Sequence, residues 1–424
     1  MTNWAGNIAF STDRILRPRS VDELQEIVRT TSKIRPIGSR HSFNQIMDTT
    51  GTHVSLNQLN RVVSLDRASN TVTVEGGMKY GDLVRYLDNT GCALPNLASV
   101  LHITVAGACA TATHGSGVKN GNLATAVSAM EFVNADGDVV ALSRERDGER
   151  FSGAVVGLGA LGVVTSLTFD LQPRFDMAQL VYRNVPMSEL QNNFSAIMSS
   201  GYSVSMFTDW SRKNINQVWI NTRLGEGGMP ASPDFFGGKL ADRNMHTMDD
   251  EPAGPCTEQM GVPGSWCERL PHFKMEFNPD FGRELQSEYF VPIEHAFEAI
   301  TTVEALHEQI TPHLFISEIR TVAPDGLWMS PCYNRACVAI HMTWRPRWND
   351  VVKVLPLIER ALAPFNALPH WGKLFTMSPR QVQSGYDKLA AFWDLATCYD
   401  PKGKFRNDFL ERNVFADGAP GARQ

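Results

Sequence analysis

Two N-terminal segments have the composition of loops that bind phosphate groups. Residues 36–44 read PIGSRHSFN and follow a short apolar run, and residues 103–117 read ITVAGACATATHGSG. Small residues let the backbone approach a ligand closely, while hydroxyls, backbone N–H groups and Arg40 suit a pyrophosphate. For residues 103–117 the structural alternative is a tightly packed loop or a crossing of small-residue helices. Two such loops together indicate a bound dinucleotide.

Three short strings in the C-terminal half carry side chains suited to recognising hydroxyl groups. They are residues 317–321 (SEIRT), 341–344 (HMTW) and 370–373 (HWGK). Strand alternation places Glu318 and Arg320 on one face of a strand, and His341 and Thr343 on one face of another. If the two strands are neighbours, the four groups match a neutral polyhydroxylated ligand. The structural alternative is an exposed sheet face with an ion pair.

Short elements of both kinds must position these loops. Ser20 and Glu23 form a capping box ahead of a helical run, and residues 34–37 read as the following strand. We expect β-structure at 54–65 and 71–75, a helix from Tyr80, and a hairpin over 130–142 around Asp136 and Gly137.

Residues 157–162 (GLGALG) match the GxGxxG pattern of Rossmann dinucleotide sites. A Rossmann fingerprint follows a strand and opens a helix, whereas these glycines lead into the β-branched run 163–169. The context favours a tight helix-to-strand turn.

Later in the chain, residues 286–292, 314–322 and 338–344 alternate as strands do, and 348–362 predicts a helix that contains Pro356. The Gly- and Pro-rich stretch 225–263 reads as a loop or insertion. The length predicts two or three domains, and the order of the elements favours two domains of α+β type.

Composition and charge exclude several classes of function. The 424 residues carry 39 basic and 45 acidic side chains, a net charge of -6, and no basic cluster of the kind that binds nucleic acid or anionic lipid. No apolar stretch reaches the roughly 18 residues of a membrane span. The seven cysteines are an odd number without redox or zinc spacing, so we expect buried thiols in the cytoplasm and no metal site.

Several segments in order resemble the vanillyl-alcohol-oxidase-type flavoproteins with a PCMH-type FAD domain, and among them the alditol (xylitol) oxidases. They are TNWAGN (2–7), GSRHSFN (38–44), LPNLAS (94–99), HITVAGACATATHGSG (102–117), LGALGVVT (158–165), LPHF (270–273), the strand of Glu318 and Arg320, HWGK (370–373), and Asp400-Pro401 with Lys404-Phe405. The resemblance implies a discontinuous FAD-binding domain, residues 1–174 completed by 378–424. It also implies a substrate domain, residues 175–377, built on an antiparallel sheet flanked by helices.

The same resemblance implies FAD as cofactor, bonded covalently through His41. Arg40 departs from the wider family, in which many members carry glycine. The implied substrate contacts are Ser99, Glu318, Arg320, His341, Thr343 and Lys373. The implied cofactor contacts are Ile37, Gly38, Ser39, Arg40, His41, Ser42, Asn44, Ala98, Ser99, Thr104, Gly107, Thr111, Thr113, His114, Gly115, Val164 and Lys373.

The activity implied is oxidation of the terminal primary hydroxyl of an alditol such as xylitol, sorbitol or glycerol, with O2 reduced to hydrogen peroxide. Arg320 and Lys373 are the candidates for stabilising developing negative charge, and His341 is the candidate base by residue type. The small side chain of Ala98 permits access of oxygen to the flavin. The alternative is an aldonolactone or sugar dehydrogenase of the same fold with another electron acceptor. We expect a monomer whose partners are the polyol and O2.

Overall fold

A computed structural model describes residues 1–226, 232–277 and 284–415 of the chain. In these ranges no helix combines the length and apolarity needed to cross a bilayer. The strands are β1 (Ile15–Leu16), β2 (Ile34–Pro36), β3 (Thr52–Val54), β4 (Val62–Asp66), β5 (Thr71–Glu75), β6 (Cys92–Ala93), β7 (Val127–Val133), β8 (Val139–Ser143), β9 (Val163–Asp170), β10 (Gln172–Pro173), β11 (Asp176–Pro186), β12 (Ser203–Thr208), β13 (Asn214–Arg223), β14 (Asp234–Phe235), β15 (Gly238–Leu240), β16 (Gly264–Ser265), β17 (Leu285–Pro292), β18 (Leu314–Val322), β19 (Cys337–Trp344) and β20 (Leu368–Pro369). The helices are α1 (Val21–Thr30), α2 (Tyr80–Asn89), α3 (Val105–Ala110), α4 (Arg144–Val155), α5 (Leu190–Met198), α6 (Ala296–Glu304), α7 (His307–Ile310), α8 (Trp348–Leu362), α9 (Pro379–Gln383), α10 (Leu389–Tyr399) and α11 (Asp408–Leu410).

The N-terminal part contains two small sheets that hold the predicted loops. A parallel sheet has the order β1-β3-β2, and an antiparallel sheet has the order β4-β5-β9-β7-β8. Ser20 caps α1 by accepting a hydrogen bond from the Glu23 N–H, and β7 and β8 form the predicted hairpin. The continuous β-structure expected over 54–65 is wrong: β3 ends at Val54 and β4 begins at Val62, with a turn closed by the Leu59 N–H and the Leu56 carbonyl between them.

The GLGALG segment is a turn from α4 into β9, as its context predicted. Leu158 and Gly159 have φ of 52° and 68°, in the left-handed region. The buried Arg35 fixes this turn by donating hydrogen bonds to both of their carbonyls, at 2.6 and 2.9 Å. The same guanidinium donates to the carbonyls of Ile46 and Phe405. One side chain therefore joins the N-terminal strand, the turn and the C-terminal segment.

In the part of the chain that the structure describes, ten strands form one large sheet with the order β14-β15-β11-β13-β12-β18-β19-β17-β20, and β16 pairs with β11 at one edge. Its central strands β18 and β19 are antiparallel neighbours, with Glu318 opposite His341. Ile319, Ile340 and Tyr289 face the core shared with α5, α6 and α8. Alternate residues, including Glu318, Arg320 and His341, therefore face the opposite side of the sheet.

The C-terminal segment returns to the N-terminal half of the molecule. Val382, Phe392 and Leu410 share a core with Val72 and Leu83. That core also takes in apolar side chains from the middle of the chain, so its limits do not follow the chain boundaries closely. The proposed boundaries at residues 174 and 378 stay a prediction.

The stretch 225–263 is an irregular segment with short strands, and its residues 227–231 lie outside the described ranges. His246, Thr247, Met248 and Glu251 from this stretch line the central cavity. The insertion is thus one wall of the site.

The cysteines are free thiols, as predicted, but their expected burial is wrong for two of them, since Cys92 is only half-buried and Cys398 is exposed. Cys398 is exposed because it lies on the solvent side of α10, where Arg150 approaches its sulfur at 3.9 Å.

Candidate active site

One cavity of about 740 Å³ lies between the polar face of the large sheet and the N-terminal loops. This volume is within the range of about 300–1,000 Å³ that is usual for small-molecule sites. Both loops predicted from composition line it, as do polar side chains from one face of β18 and β19. The sites predicted for cofactor and substrate are therefore parts of one continuous space.

The two loops meet where their side chains are smallest. A Cβ built on Gly38 would lie 2.3 Å from the Thr104 hydroxyl, and one on Gly107 would lie 2.9 Å from the same atom. A side chain at Gly38 would displace Thr104 or push into the cavity, so only a bare backbone permits this approach. Two loops that expose backbone and hydroxyls along one long cavity fit a dinucleotide such as FAD.

The predicted cofactor contacts fall into two groups. Asn44 and Gly115 do not line the cavity. Asn44 instead donates hydrogen bonds to the carbonyls of Trp371 and Lys373, and a Cβ on Gly115 would lie 2.2 Å from the Leu97 carbonyl. The residues that do line the cavity are Ile37, Gly38, Ser39, Arg40, His41, Ser42, Ala98, Ser99, Thr104, Gly107, Thr111, Thr113, His114, Val164 and Lys373.

His41 lies in an aromatic environment on the cavity wall. Its Nδ1 is 3.1 Å from Nε2 of His102, and its ring centroid is 4.4 Å from that of Trp4. Burial, reinforced by the neighbouring His102 and Lys373, holds the pKa of His41 well below its ordinary value. Its imidazole is therefore neutral, which is the nucleophilic form.

Arg40 has φ of 62°, a left-handed conformation that favours glycine. Here the carbonyl of Arg40 accepts from the Trp4 N–H at 2.8 Å, and its guanidinium donates to the Thr2 carbonyl at 3.1 Å. These contacts with the N-terminus hold the strained residue in place.

All six predicted substrate contacts line the cavity: Ser99, Glu318, Arg320, His341, Thr343 and Lys373. Glu318 Oε1 and Arg320 Nε are 3.6 Å apart, and each is buried without a hydrogen-bond partner among the described residues. Burial alone would raise the pKa of Glu318, but Arg320 and His272 outweigh it and lower the pKa. An acceptor and a donor side by side can bind a single hydroxyl group, which both donates and accepts.

A chain of hydrogen bonds connects Lys373, His341 and Thr343. Lys373 Nζ is 2.7 Å from His341 Nδ1, and His341 Nε2 is 3.0 Å from the Thr343 hydroxyl. An ammonium group has only donors, so Nδ1 accepts and Nε2 carries the hydrogen. Burial, reinforced by Lys373, lowers the pKa of His341 to about 4. His341 is therefore neutral, and both of its nitrogens already have partners.

Pattern analysis missed Glu288, the carboxylate at the centre of the cluster. It lies opposite His341 in the β17–β19 register, and its side chain has no solvent exposure. Oε1 is 2.7 Å from Arg320 Nη2, and Oε2 is 2.8 Å from Lys373 Nζ. Burial would raise the pKa of Glu288, but Lys373, His114 and Arg320 together hold it well below its ordinary value. The available signal was that Glu288 is the one charged residue of strand 285–292.

The described ranges contain no group of three or more histidine, cysteine, aspartate or glutamate side chains arranged to hold a metal ion. Charged side chains of both signs line the cavity. Near the sheet, Arg320 and Lys373 are balanced by Glu318 and Glu288.

Comparison with known proteins gives matches in both halves of the chain. Residues 12–143 match the FAD binding domain family, and residues 277–413 match the D-arabinono-1,4-lactone oxidase family. The chain is 44% identical over 414 residues to the alditol oxidase of Streptomyces sp. (strain IKD472 / FERM P-14339), covering 97% of this chain and 98% of that protein. It is 28% identical to the L-gulonolactone oxidase of Mus musculus, covering 97% of both chains.

A similar fold is found among solved structures. Cholesterol oxidase from B. sterolicum superposes with a TM-score of 0.77, covering 97% of this chain and 96% of that one, at 14% sequence identity. The expected α+β fold, with an FAD-binding domain and a second domain on an antiparallel sheet, is confirmed. The chain belongs to the vanillyl-alcohol-oxidase-type flavoproteins with a PCMH-type FAD-binding domain, in the branch that contains alditol oxidase.

Proposed function

We propose that this protein oxidises the terminal primary hydroxyl of alditols such as xylitol and sorbitol to the aldehyde, using FAD, and passes the electrons to O2. The substrate loses a hydride from carbon and a proton from oxygen. Together these amount to two electrons and two protons, which is what O2 requires to become hydrogen peroxide. The observation that carries this proposal is the unpartnered pair Glu318 Oε1 and Arg320 Nε, which faces the cavity beside the flavin loops. The 44% identity to an alditol oxidase supports the substrate class.

The charge balance of the site suits a neutral polyol. Glu288 and Glu318 offset Lys373 and Arg320, so the cluster has no unmatched cation that would select a carboxylate substrate. A polyol would instead be recognised by successive hydrogen bonds, because every hydroxyl needs both a donor and an acceptor. Ser99, whose hydroxyl is 3.5 Å from Arg320 Nη1, and Thr343 supply further such groups.

Arg320 and Lys373 are the groups that would stabilise negative charge on the reacting oxygen. Both side chains are largely buried, with 6% and 15% exposure, so their charges act in a medium that screens them poorly. Burial would lower the pKa of Arg320, but Glu318 and Glu288 raise it above its ordinary value, and the guanidinium stays charged. Removal of one such preorganised donor costs about 10²–10³ in rate in other enzymes.

The hydrogen-bond chain through His341 argues against direct proton removal by its imidazole. Nδ1 accepts from Lys373 and Nε2 donates to Thr343, so neither nitrogen has a free lone pair while Lys373 is charged. We infer that His341 orients the Thr343 hydroxyl, leaving the hydrogen of that hydroxyl free to point at the substrate oxygen. The predicted role of His341 as the base is replaced in this proposal by a positioning role.

Bound FAD would supply the two-electron acceptor for the substrate hydride. The loops 36–44 and 103–117 would hold it, with Gly38 and Gly107 giving the close approach. The neutral imidazole of His41 would form the covalent bond to the ring. Ala98, buried in the cavity wall, leaves space for O2.

We also propose the division into a flavin domain, residues 1–174 and 378–424, and a substrate domain, residues 175–377. The core shared by Val382, Phe392 and Leu83 supports this discontinuous arrangement.

A visible spectrum recorded before and after anaerobic addition of xylitol tests the proposed function. We expect flavin absorption that bleaches with xylitol and sorbitol, followed by stoichiometric hydrogen peroxide when air is admitted. Bleaching by gulonolactone and not by alditols, or turnover with a dye acceptor but not with O2, would contradict it and favour the lactone dehydrogenase.

A further inference from the structure

Glu288 is a buried carboxylate that the proposed reaction does not use directly. It lies in β17, and its side chain contacts groups from four other parts of the fold, one of them His341 of β19, whose Nδ1 is 3.7 Å from Oε2. Arg320 comes from β18, Lys373 from the turn after β20, and His114 from the 103–117 loop, with Nε2 at 3.2 Å. A carboxylate in this position links the substrate residues to the flavin loop.

The two oxygens of Glu288 divide the two cations between them. Oε1 receives the Arg320 Nη2 hydrogen bond at 2.7 Å, and Oε2 lies 2.8 Å from Lys373 Nζ. This leaves Arg320 Nε free for Glu318 and the substrate. One carboxylate therefore sets the separation of both cations and the direction in which the guanidinium presents its remaining donor.

We propose that Glu288 is the positioning residue of this active site, holding Arg320 and Lys373 at a fixed separation and keeping the Lys373 ammonium charged. Without a carboxylate at this position, the buried charges of Arg320 and Lys373 would lose the anion that lies between them. The kinetic part of this inference rests on the proposed function, but the effect on the charge of Lys373 does not.

The charge state of Lys373 depends on groups from every element packed against it. Burial lowers its pKa, Glu288 raises it, Arg320 lowers it, and Glu318 raises it. The remaining titratable neighbours are His341 on β19, His41 in the 36–44 loop, His370 in the same turn, and Glu284 beside β17. Glu288 is the carboxylate in direct contact, so its removal should lower the pKa of Lys373 most.

The test compares Glu288→Gln with wild-type holoenzyme. Competitive labelling with acetic anhydride across a pH series, read by peptide mass spectrometry, reports the pH at which Lys373 is half reactive. We expect that pH to fall by about one unit or more in Glu288→Gln, because an opposite charge in contact is removed. We also expect the alkaline limb of kcat/KM for xylitol to move in the same direction, and kcat to fall about 10²-fold.

Glu359→Gln is the matched control for loss of a buried carboxylate. Glu359, on α8, accepts hydrogen bonds from Tyr289 of β17 and from Thr376, does not line the cavity, and does not contribute to the pKa shift of Lys373. This variant should lose stability but leave the Lys373 labelling curve unchanged. An unchanged curve in Glu288→Gln, or an equal fall in Glu359→Gln, would overturn the proposal.

Glu288→Asp keeps the test decisive if the glutamine variant does not fold. It retains the charge but shortens the side chain by one methylene, so we expect near-normal labelling with a reduced kcat. Wild-type kcat and KM in the aspartate variant would overturn the positioning role. If wild-type enzyme does not oxidise alditols but the labelling curve shifts as expected, the proposed function fails and the role of Glu288 stands.

Discussion

Replacement of Glu318 by glutamine should weaken alditol binding, and the loss of binding free energy follows from the contacts of this carboxylate. Glu318 Oε1 is buried, has no hydrogen-bond partner among the described residues, and lies 3.6 Å from Arg320 Nε and 3.5 Å from His272 Nε2. A substrate hydroxyl placed there would donate to a charged acceptor. Glutamine keeps the shape and an acceptor oxygen, so the change removes the charge and little else.

A hydrogen bond to a charged group contributes about 1.5–3 kcal/mol and a neutral one about 1 kcal/mol. The difference of about 0.5–2 kcal/mol corresponds to a loss of about 2–30-fold in kcat/KM. Arg320 keeps its contact with Glu288 at 2.7 Å in this variant, so the guanidinium should remain in place. We therefore expect the loss mainly in substrate affinity.

Anaerobic stopped-flow reduction of the flavin by xylitol separates affinity from rate. Expressed per bound flavin, the measurement is independent of partial cofactor loading. Glu359→Gln, which removes a buried carboxylate outside the cavity, is the control. A Glu318→Gln enzyme whose reduction rate and xylitol affinity both stay within about twofold of wild type would refute the assignment of Glu318 as a hydroxyl acceptor.

Three further outcomes follow from the same geometry. Acid precipitation should release yellow colour from His41→Ala but not from wild type, and a wild-type flavin that washes out under denaturing conditions would refute the covalent bond. Burial lowers the pKa of His341 to about 4, so this group is neutral from pH 5 upwards. We therefore expect kcat/KM to show no His341 titration near pH 6.5 and to fall only as pH approaches 4. An acid limb at pH 6–7 that disappears in His341→Gln would contradict this expectation. Gly38→Ala should purify with less FAD, since its Cβ would lie 2.3 Å from the Thr104 hydroxyl. The control Gly254→Ala, whose Cβ would have nothing within 4 Å, should retain full FAD content. Equal FAD content in the two variants, measured by absorbance after purification, would show that Thr104 moves aside without loss of the site.

The sheet that carries the proposed substrate residues was largely predictable. Alternation in residues 314–322 and 338–344 reveals which side chains share a face, since a strand turns successive residues to opposite sides. Adjacency of the two strands is not contained in either segment, because antiparallel pairing joins distant parts of the chain. The structure supplies that adjacency, with Glu318 opposite His341.

The contacts of Glu288 and His102 could not be predicted from sequence patterns. Glu288 stands in a strand without any motif, and its importance depends on Arg320 and Lys373, which approach it only in the folded protein. His102 directly precedes the small-residue segment, yet its partner His41 lies 61 residues earlier. Both contacts are tertiary, so local residue types could mark these positions as unusual but could not identify their partners.

The discontinuous flavin domain that we propose was inferred from resemblance to other proteins and not from residue patterns. Residues 379–415 have ordinary amphipathic helices, and nothing in their periodicity says which core they join. Asn44 had the residue type of a phosphate ligand, but its amide is used to join the 36–44 loop to the carbonyls of Trp371 and Lys373. The same polar groups serve ligands and loops, and only geometry separates the two uses.

The four carbonyls bound by Arg35 have a consequence for how the protein is made. One of them belongs to Phe405, which is 370 residues later in the chain. At about 5–20 residues per second, a ribosome needs about 20–75 s to travel that distance. Until then the guanidinium lacks one of its four carbonyl partners, and the C-terminal segment is not joined to the strand that leads into the 36–44 loop. The junction of the N-terminal strand, the turn and the C-terminal segment therefore closes only after Phe405 has been synthesised.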